Sequence, residues 1–405
     1  MVRFGDAYSR SRDMEVNILQ NELELSVIMP CLNEAETLET CIKKAQETIK
    51  RYGILGEIII VDNGSIDCSQ DIARMCGARV VQVGTKGYGA ALLGGINAAR
   101  GRFIIMGDAD DSYDFSNIIG FVEKLREGYD LVMGCRLPSG GGMIMPGAMP
   151  WKHRWIGNPA LSTIGRLFFK SPVSDFHCGL RAFRKDAIEK LELRTTGMEF
   201  ASEMVIKATI MGLCITQIPI TLYKDGRSIP PHLRSWRDGW RHLRFMLMYS
   251  PRWLFLIPGS MLFTISLSFF ILLELGPIRI GSIVFDTNTL LVFAMTILFG
   301  FQLIAFSIYT KAFAITEGLL PDDPTFKKLC KLITLEVGIL TGVSLFLLGF
   351  GLIVYGVFNW WKADFGSLSS PESLRITVPG ITTSVLGVQI IFSSFFLSIL
   401  GLSRK

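Results

Sequence analysis

Hydrophobic positions divide the chain into two parts with different periodicities. Up to about residue 230, short apolar, β-branched runs bounded by turn residues occur at Leu25–Met29, Glu57–Val61, Arg79–Val83, Arg102–Met106 and Leu131–Gly134. Helix-period segments lie between and after them, at Ala35–Arg51, Ser69–Cys76, Gly89–Ala99, Ile118–Glu127 and Phe200–Met211. Strand–helix alternation with short connections predicts an α/β domain, a mostly parallel, Rossmann-like sheet with helices on both faces. Ligands of such sheets sit beyond the carboxyl ends of the strands.

The remainder carries uncharged stretches at Trp253–Leu273, Thr287–Thr310, Val337–Trp361 and Ile376–Ser403. Each reaches the roughly 20 residues that cross ~30 Å of hydrocarbon, which predicts four membrane spans. Lys311, Lys327, Lys328 and Lys331 crowd the second connection, whereas the first holds only Arg279 and the third Lys362 and Arg375; Arg404 and Lys405 end the chain. This alternation predicts that both termini and the whole N-terminal part face the cytosol. The expected organisation is a polar lead over 1–22, the α/β domain over 23–230, an interfacial helix over 231–252 and a membrane domain over 253–405.

Composition narrows the class. Apolar residues make up 49% and charged residues 19%, which excludes a disordered or fibrous chain and argues against a wholly soluble one. A net charge of +5, from 41 basic and 36 acidic residues, is too small an excess to point to nucleic acid. The eight cysteines contain no C-x-x-C pair and read as reduced, mostly buried thiols. The N-terminus lacks an apolar run, so no signal peptide is expected.

The strand ends carry the chemistry. After the first come Pro30, Asn33 and Glu34; Asn33 is a candidate helix cap with Glu36 closing a capping box, leaving Glu34 for a ligand. After the second, Asp62-Asn63-Gly64-Ser65 reads as an Asx turn or as a carboxylate for a nucleobase or ribose. After the third, Gly84-Thr85-Lys86-Gly87-Tyr88-Gly89 offers close backbone approach and a point charge for phosphate. The fourth ends in Asp108-Ala109-Asp110-Asp111. Carboxylates crowded at the end of a buried strand repel one another, and Asp-x-Asp directs two of them to one side, a hard-oxygen set suited to Mg²⁺ or Mn²⁺ shared with substrate phosphates.

In this order and spacing, Pro30…Asn33-Glu34, Asp62-Asn63-Gly64-Ser65, Lys86-Gly87 and Asp108-Ala109-Asp110 resemble the GT-A fold, family 2 glycosyltransferases. Asp175-Phe176-His177-Cys178-Gly179-Leu180-Arg181-Ala182-Phe183 is similar to the D-x-x-x-G-x-R-x-F element of the polyprenyl-phosphate, dolichol-phosphate mannose synthase-like branch. The resemblance covers roughly residues 24–250, and the membrane part is similar to four-span members in layout. It implies that Pro30, Asn33, Glu34, Asp62, Gly64, Ser65, Lys86 and Asp108 bind the donor nucleotide. It implies that Asp108 and Asp110 hold Mg²⁺ or Mn²⁺, and that Arg136, Arg154 and Asn158 bind the acceptor lipid phosphate. Arg181 would join Asp108, Asp110 and Arg136 among the catalytic residues. Two positions depart from the pattern. Ser112 stands where a Gln metal-side ligand is common, leaving that place to Asp111 or water, and Asn158 stands where Ser is usual.

Transfer from a nucleotide sugar breaks a bond to a diphosphate, whose charge a divalent ion neutralises. A lipid monophosphate acceptor is already ionised and needs positioning rather than a strong base, which suits the guanidinium forks of Arg136, Arg154 and Arg181. Membrane contact is expected at Trp151-Lys152-His153-Arg154-Trp155, leading into Pro159–Phe169, and at a helix beginning near Arg234. There Arg237, Arg241 and Arg244 share one face, with Trp236, Trp240, Leu243 and Leu247 on the next. Arg227 and Ser228 could close over the donor.

Glu199 and Glu203 offer no glycosidase pair, and a lone His177 beside Cys178 reads as structural. The expected activity is therefore inverting transfer of a monosaccharide, from a UDP-glucose or GDP-mannose type donor, to a polyprenyl or dolichyl phosphate at the cytosolic membrane face. A processive polysaccharide synthase is the alternative, but its Q-x-x-R-W element would need Gln where Trp151 precedes Arg154-Trp155. A non-catalytic membrane scaffold is the other, opposed by the intact Asp108/Asp110 pair. Gly338, Gly342, Gly349 and Gly351 could pack helices within or between chains, so an oligomer is possible.

Overall fold

The computed structural model describes residues 23–228, 235–367 and 370–401. The expected polar lead over 1–22, Arg234 and the terminal Arg404-Lys405 lie outside the described residues. The chain divides into two compact units, Met1–Met246 and Leu247–Lys405.

In the first unit the elements follow as β1 (Leu25–Cys31), α1 (Leu38–Arg51), β2 (Gly56–Asp62), α2 (Ser69–Met75), β3 (Arg79–Gln82), α3 (Tyr88–Ala98), β4 (Phe103–Met106), α4 (Ile119–Arg126) and β5 (Leu131–Cys135). Then come β6 (Met143–Ile144), α5 (Asn158–Phe169), β7 (Arg181–Arg184), α6 (Lys185–Glu189), α7 (Phe200–Ile210), β8 (Ile215–Pro219), β9 (Thr221–Leu222) and α8 (Ser235–Met248). The main sheet has the order β3-β2-β1-β4-β7-β5-β8, and β6 pairs with β9 apart from it. Strands β1, β4 and β5 are buried almost throughout, as their continuous apolar runs require when both faces are covered. Helix α1 shows the complementary pattern. Leu38, Cys41, Ile42, Ala45 and Thr48 form its buried stripe, Glu39 lies in its first turn, and Lys50 and Arg51 lie in its last.

Strands β7 and β8 escaped the periodicity analysis. Strand β7 is only four residues, Arg-Ala-Phe-Arg, and runs antiparallel between β4 and β5. Its reversed direction has a use. Parallel strands bring the residues that follow them to the carboxyl rim, whereas an antiparallel strand brings the residues that precede it. Asp175–Gly179 therefore reach the same rim as the segments after β4 and β5. The chain order reverses between β1 and β4, so the crevice expected of such sheets opens at their ends.

The expected capping box is absent. Helix α1 starts at Leu38, and Thr37 precedes it without a side-chain cap. Asn33 instead adopts a left-handed backbone, φ 60°, and Glu36 accepts from Ser228 N and Oγ.

The second unit is built on α9 (Ile257–Leu275), a β10–β11 hairpin (Ile278–Ile280, Ile283–Phe285), α10 (Thr287–Thr316), α11 (Pro324–Leu332), α12 (Leu335–Lys362) and α13 (Ser370–Leu400). Four helical segments, Arg252–Leu275, Thr287–Thr316, Leu335–Lys362 and Pro371–Leu400, are long and apolar enough to cross a membrane. Small residues let their backbones meet. A Cβ added at Gly342 would lie 2.7 Å from Gly387 O and 2.6 Å from the Ile391 side chain, and one at Gly349 would lie 2.5 Å from Gly380 O. Gly338 is similarly close to Ser394, so three of the four candidate glycines pack within the chain, against α13. Gly351 faces open space. Near one end, Arg375 donates to Leu273 O, Glu274 O and Asp286, tying α13 to α9 and to the start of α10.

Gly342→Leu is expected to destabilise the α12–α13 pair by about 1–3 kcal/mol through overpacking. Gly351→Leu, where an added Cβ meets nothing within 4 Å, should be near neutral. Thermal unfolding of both variants in detergent checks the contrast, and equal melting temperatures would contradict the assigned packing.

Candidate active site

The loops after β1, β2 and β3 are knotted together by short polar side chains. The Asn33 amide N–H donates to Ser65 Oγ at 3.0 Å, and Asn33 Oδ1 accepts from Ile66 N at 2.9 Å. Glu34 N donates to Ser69 Oγ at 2.9 Å. Asp62 accepts from Gly64 N, Ser65 N and Gln70 Nε2 at 3.0–3.1 Å, an Asx-type turn with Gly64 at φ 96°. Pro30 lies one pair before it, opposite Val61 and past the last pairing with β4, so its missing N–H breaks no bond on that side.

A residue that the sequence reading left without a role, Asn63, is the clamp of this region. Its Nδ2 donates to Val83 O and Thr85 O, its Oδ1 accepts from Gly87 N, and its carbonyl accepts from Lys86 Nζ at 2.9 Å. The exposed Lys86 is thus held over Gly64, whose lack of a Cβ makes the room.

Past β4 the carboxylates gather. Asp108 Oδ1 accepts from Tyr88 Oη at 2.9 Å. Asp110 Oδ1 accepts from Ser112 N at 3.1 Å and Ser112 Oγ at 2.6 Å. Asp110 Oδ2 receives Arg227 Nη2 at 2.9 Å, and the same guanidinium reaches Glu34 Oε1 through Nη1, also at 2.9 Å. Burial, with the Asp110 charge beside it, pushes Asp108 up to about 6. Burial first and Asp110 next raise Glu34 to about 7, against the pull of Arg227.

Asp111 does not join them. It turns away in a left-handed conformation, φ 59°, onto Lys44 Nζ at 2.7 Å, which removes it as the third metal-side ligand. Among the described residues no three His, Cys, Asp or Glu side chains gather about one point. Asp108 and Asp110 still fit a hard divalent ion, whose other ligands would be phosphate oxygens and water. Glu34 Oε2, buried and without a partner, adds acceptor capacity at that place.

The basic side begins one tyrosine away. Tyr113 Oη accepts from Gly179 N at 2.8 Å and from Arg136 Nη1 at 3.4 Å. A Cβ on Gly179 would lie 2.6 Å from Asp108 Oδ2 and 3.1 Å from Tyr113 Oη, so Asp108, Tyr113, Gly179 and Arg136 form one connected group. Arg136 makes a bidentate pair with the buried Asp175, Nε to Oδ2 at 2.8 Å and Nη2 to Oδ1 at 2.9 Å, leaving Nη1 as its least engaged corner. Against the cost of burial, that guanidinium holds the Asp175 carboxyl below its ordinary value.

Arg181 is a correction to the expected set. It is 0% exposed and spends Nε, Nη1 and Nη2 on Cys178 O, Ala201 O and Phe176 O at 2.7–2.8 Å. With no donor facing a cavity it positions the Asp175–Leu180 loop and touches no substrate. Arg154 sits in a π-helical turn with its guanidinium 5.4 Å over Trp155 and a buried, unpartnered Nε. Asn158 donates to Met149 Sδ. Among the described contacts neither joins the Asp108–Arg136 group.

Helix α8 docks through His242. Its Nδ1 lies 2.8 Å from Ser202 Oγ, which also lies 3.4 Å from His177 Nε2, and the two imidazoles stack edge-on at 4.4 Å. Trp236 and Trp240 point outward, Trp236 with 93% exposure, while Asp238, His242, Phe245 and Met246 are buried.

A mostly parallel sheet whose strand-order switch is rimmed by an Asp-x-Asp pair defines a GT-A glycosyltransferase. Residues 26–192 match the glycosyl transferase family 2 model, and residues 308–401 match the glycosyltransferase family 2 C-terminal transmembrane region. The low-salt glycan biosynthesis hexosyltransferase Agl6 of Haloferax volcanii is 37% identical over 383 residues, 93% of this chain and 89% of that protein. A dolichyl-phosphate hexose transferase of the same organism is 28% identical over 49% of this chain and 82% of its own length. Glucosyl-3-phosphoglycerate synthase of Mycobacterium tuberculosis, solved with Mn²⁺, UDP and glucosyl-3-phosphoglycerate, is similar at a TM-score of 0.45 and 21% identity, over 56% of this chain and 80% of that one. The chain belongs to glycosyltransferase family 2 and is a membrane glycosyltransferase.

Burial pushes His242 down to about 4 from its ordinary 6.5, with Arg181 adding to the effect and Asp238 opposing it. The unfolded chain therefore binds a proton between these values that the folded one refuses, so stability falls as pH drops from 6.5 toward 4. The expected loss is on the order of 3 kcal/mol, at ~1.4 kcal/mol per pH unit. Thermal melts across that window should show the native protein losing stability relative to His242→Gln as pH falls, the difference isolating His242 from the opposite contributions of Glu34 and Asp108, whose raised values favour the folded state on acidification.

Proposed function

We propose that the enzyme transfers a hexose from a nucleoside diphosphate sugar to a polyprenyl or dolichyl phosphate, with inversion, at the cytosolic membrane face. A phosphate oxygen of the lipid forms the new bond to the anomeric carbon while the bond from that carbon to the diphosphate breaks, and the nucleoside diphosphate leaves. The observation carrying this reading is the single connected group that runs from Asp108 through Gly179 and Tyr113 to Arg136. It sets acidic groups suited to a donor's cation beside a buried guanidinium suited to an anionic acceptor.

The chain's residues divide the work. The loops clamped by Asn63, with Asn33, Glu34, Asp62, Gly64, Ser65 and Lys86, receive the nucleotide. Asp108 and Asp110 would hold Mg²⁺ or Mn²⁺, which when bound supplies positive charge to the departing diphosphate. Arg136 orients the lipid phosphate through Nη1, its least engaged corner, with Asp175 fixing the other two nitrogens. Arg154, whose Nε is unspent, is assigned to the same acceptor. No general base is required, because the attacking phosphate is already ionised. The exposed Trp151, Trp155, Trp236 and Trp240 of the first unit support contact with lipid headgroups.

Incubating the purified protein with a panel of nucleotide sugars and short polyprenyl phosphates, with Mg²⁺ or Mn²⁺, should give a glycosyl-phosphoryl-polyprenol identified by mass. Failure of every lipid phosphate beside turnover of some other acceptor would overturn the assignment. Asp110→Asn should lower kcat about 10²–10³-fold, the scale of removing one electrostatic contact in a site, while the protein still folds. Arg136→Ala should raise KM for lipid phosphate and leave donor affinity within about twofold. Weakened donor binding alone would move Arg136 to the donor.

A further inference from the structure

Of the three carboxylates that Arg227 pairs with, Asp225 lies on its own segment at 3.3 Å, and the other two come from different loops, Glu34 after β1 and Asp110 after β4. We propose that Arg227 is an internal surrogate cation, which occupies the Glu34–Asp110 pair in the ligand-free enzyme and must be displaced, with its loop, when a divalent ion enters. This inference rests on the assignment of that rim as the cation site.

Three observations support exchange rather than a permanent structural pair. The pairing is unsaturated on both sides, because Arg227 Nε and Glu34 Oε2 are each buried without a partner. A structural ion pair buried in a core offsets desolvation only when its remaining donors and acceptors are satisfied; the Arg136–Asp175 pair, with all three guanidinium nitrogens engaged, meets that condition and the Arg227–Glu34 pair does not. The second observation is that Arg227 sits on a detachable segment. Tyr223, Lys224, Gly226 and Ser228 are all exposed, so release uncovers little apolar surface. The third is how the segment is latched. Tyr223 N donates to Ser112 O at 2.9 Å, Gly226 N to Asp110 O at 3.0 Å, and Ser228 N to Glu36 at 2.7 Å. Two of these anchors are backbone carbonyls of the Asp108–Ser112 loop itself, so the cation's loop and the latch are in register.

One carboxylate oxygen cannot serve a guanidinium and a divalent ion at full strength together. Cation binding and latch closure are therefore mutually exclusive, and linkage makes the effect reciprocal: whatever holds the latch weakens the cation, and the cation opens the latch. The enzyme thereby avoids leaving its acidic rim uncompensated between turnovers, and it retains bare cations poorly.

The test uses the full chain in detergent without nucleotide, with Mn²⁺ alone as probe and the free-ion EPR signal as readout. Arg227→Gln is expected to bind Mn²⁺ about tenfold more tightly than the native protein, on the scale of one lost competing ion pair. Arg227→Lys, which keeps the charge, should stay within about threefold of native. A second measurement needs no variant: trypsin should cut the native protein after Lys224 or Arg227 faster when Mn²⁺ is present. Equal Mn²⁺ affinity in native and Arg227→Gln proteins, or cleavage indifferent to Mn²⁺, would overturn the surrogate role alone. Absence of Mn²⁺ binding in all three proteins would overturn the cation site itself.

Discussion

Like charge held out of water at the end of strand β4 is the constraint from which the catalytic unit's other features follow. Asp108 and Asp110 are separated by one residue and walled by apolar strands, and Glu34 approaches from the neighbouring loop. Burial and mutual repulsion both work against their ionisation, as the raised values of Asp108 and Glu34 register. Each carboxylate is consequently given at least one positive or protic partner. Asp108 has the Tyr88 hydroxyl, Asp110 has Ser112 and Arg227, and Glu34 has the other arm of that guanidinium. A rim so arranged calls for positive charge, which Arg227 supplies here.

The basic side is organised on the opposite principle. Arg136 is buried, and Asp175 satisfies two of its nitrogens and accepts from its backbone N–H. Removing either partner would strand the other's charge, so the pair is costly to break. This fixes the guanidinium plane and leaves one corner, beside Tyr113, for an anion. Acidic rim and basic corner are brought to one place by the reversed direction of β7, which delivers Asp175–Gly179 alongside the residues that follow β4 and β5.

Much of this was legible in the residues. The strands and helices up to residue 135 match the periodicity within a few residues, because each is a clean apolar run or stripe. The long apolar segments gave the four membrane-length helices for the same reason. Strand β7 was hidden because four residues with arginine at both ends carry no period. The N-cap expected at Asn33 failed because tertiary partners, Ser65 and Ile66, outbid the local helix start. Arg181 was placed among catalytic residues on its motif alone; that all three of its nitrogen positions end on carbonyls is a property of folded loops and not of spacing. Arg227 was noticed as a closing residue, but nothing in the sequence pairs it with Glu34 and Asp110, which lie 193 and 117 residues away.

Arg181 has a consequence beyond holding its loop. Its hydrogen-bond partners are neutral carbonyls, so unlike Arg136 it forms no ion pair. Tyr88, Tyr113 and Asp175 all lie close enough to favour its charge against the cost of burial. A buried cation without an ion-pair partner, close to two phenols, is a source of potential that no ligand has to bring. That potential is set when the chain folds, because the three carbonyls that fix the guanidinium belong to the protein itself.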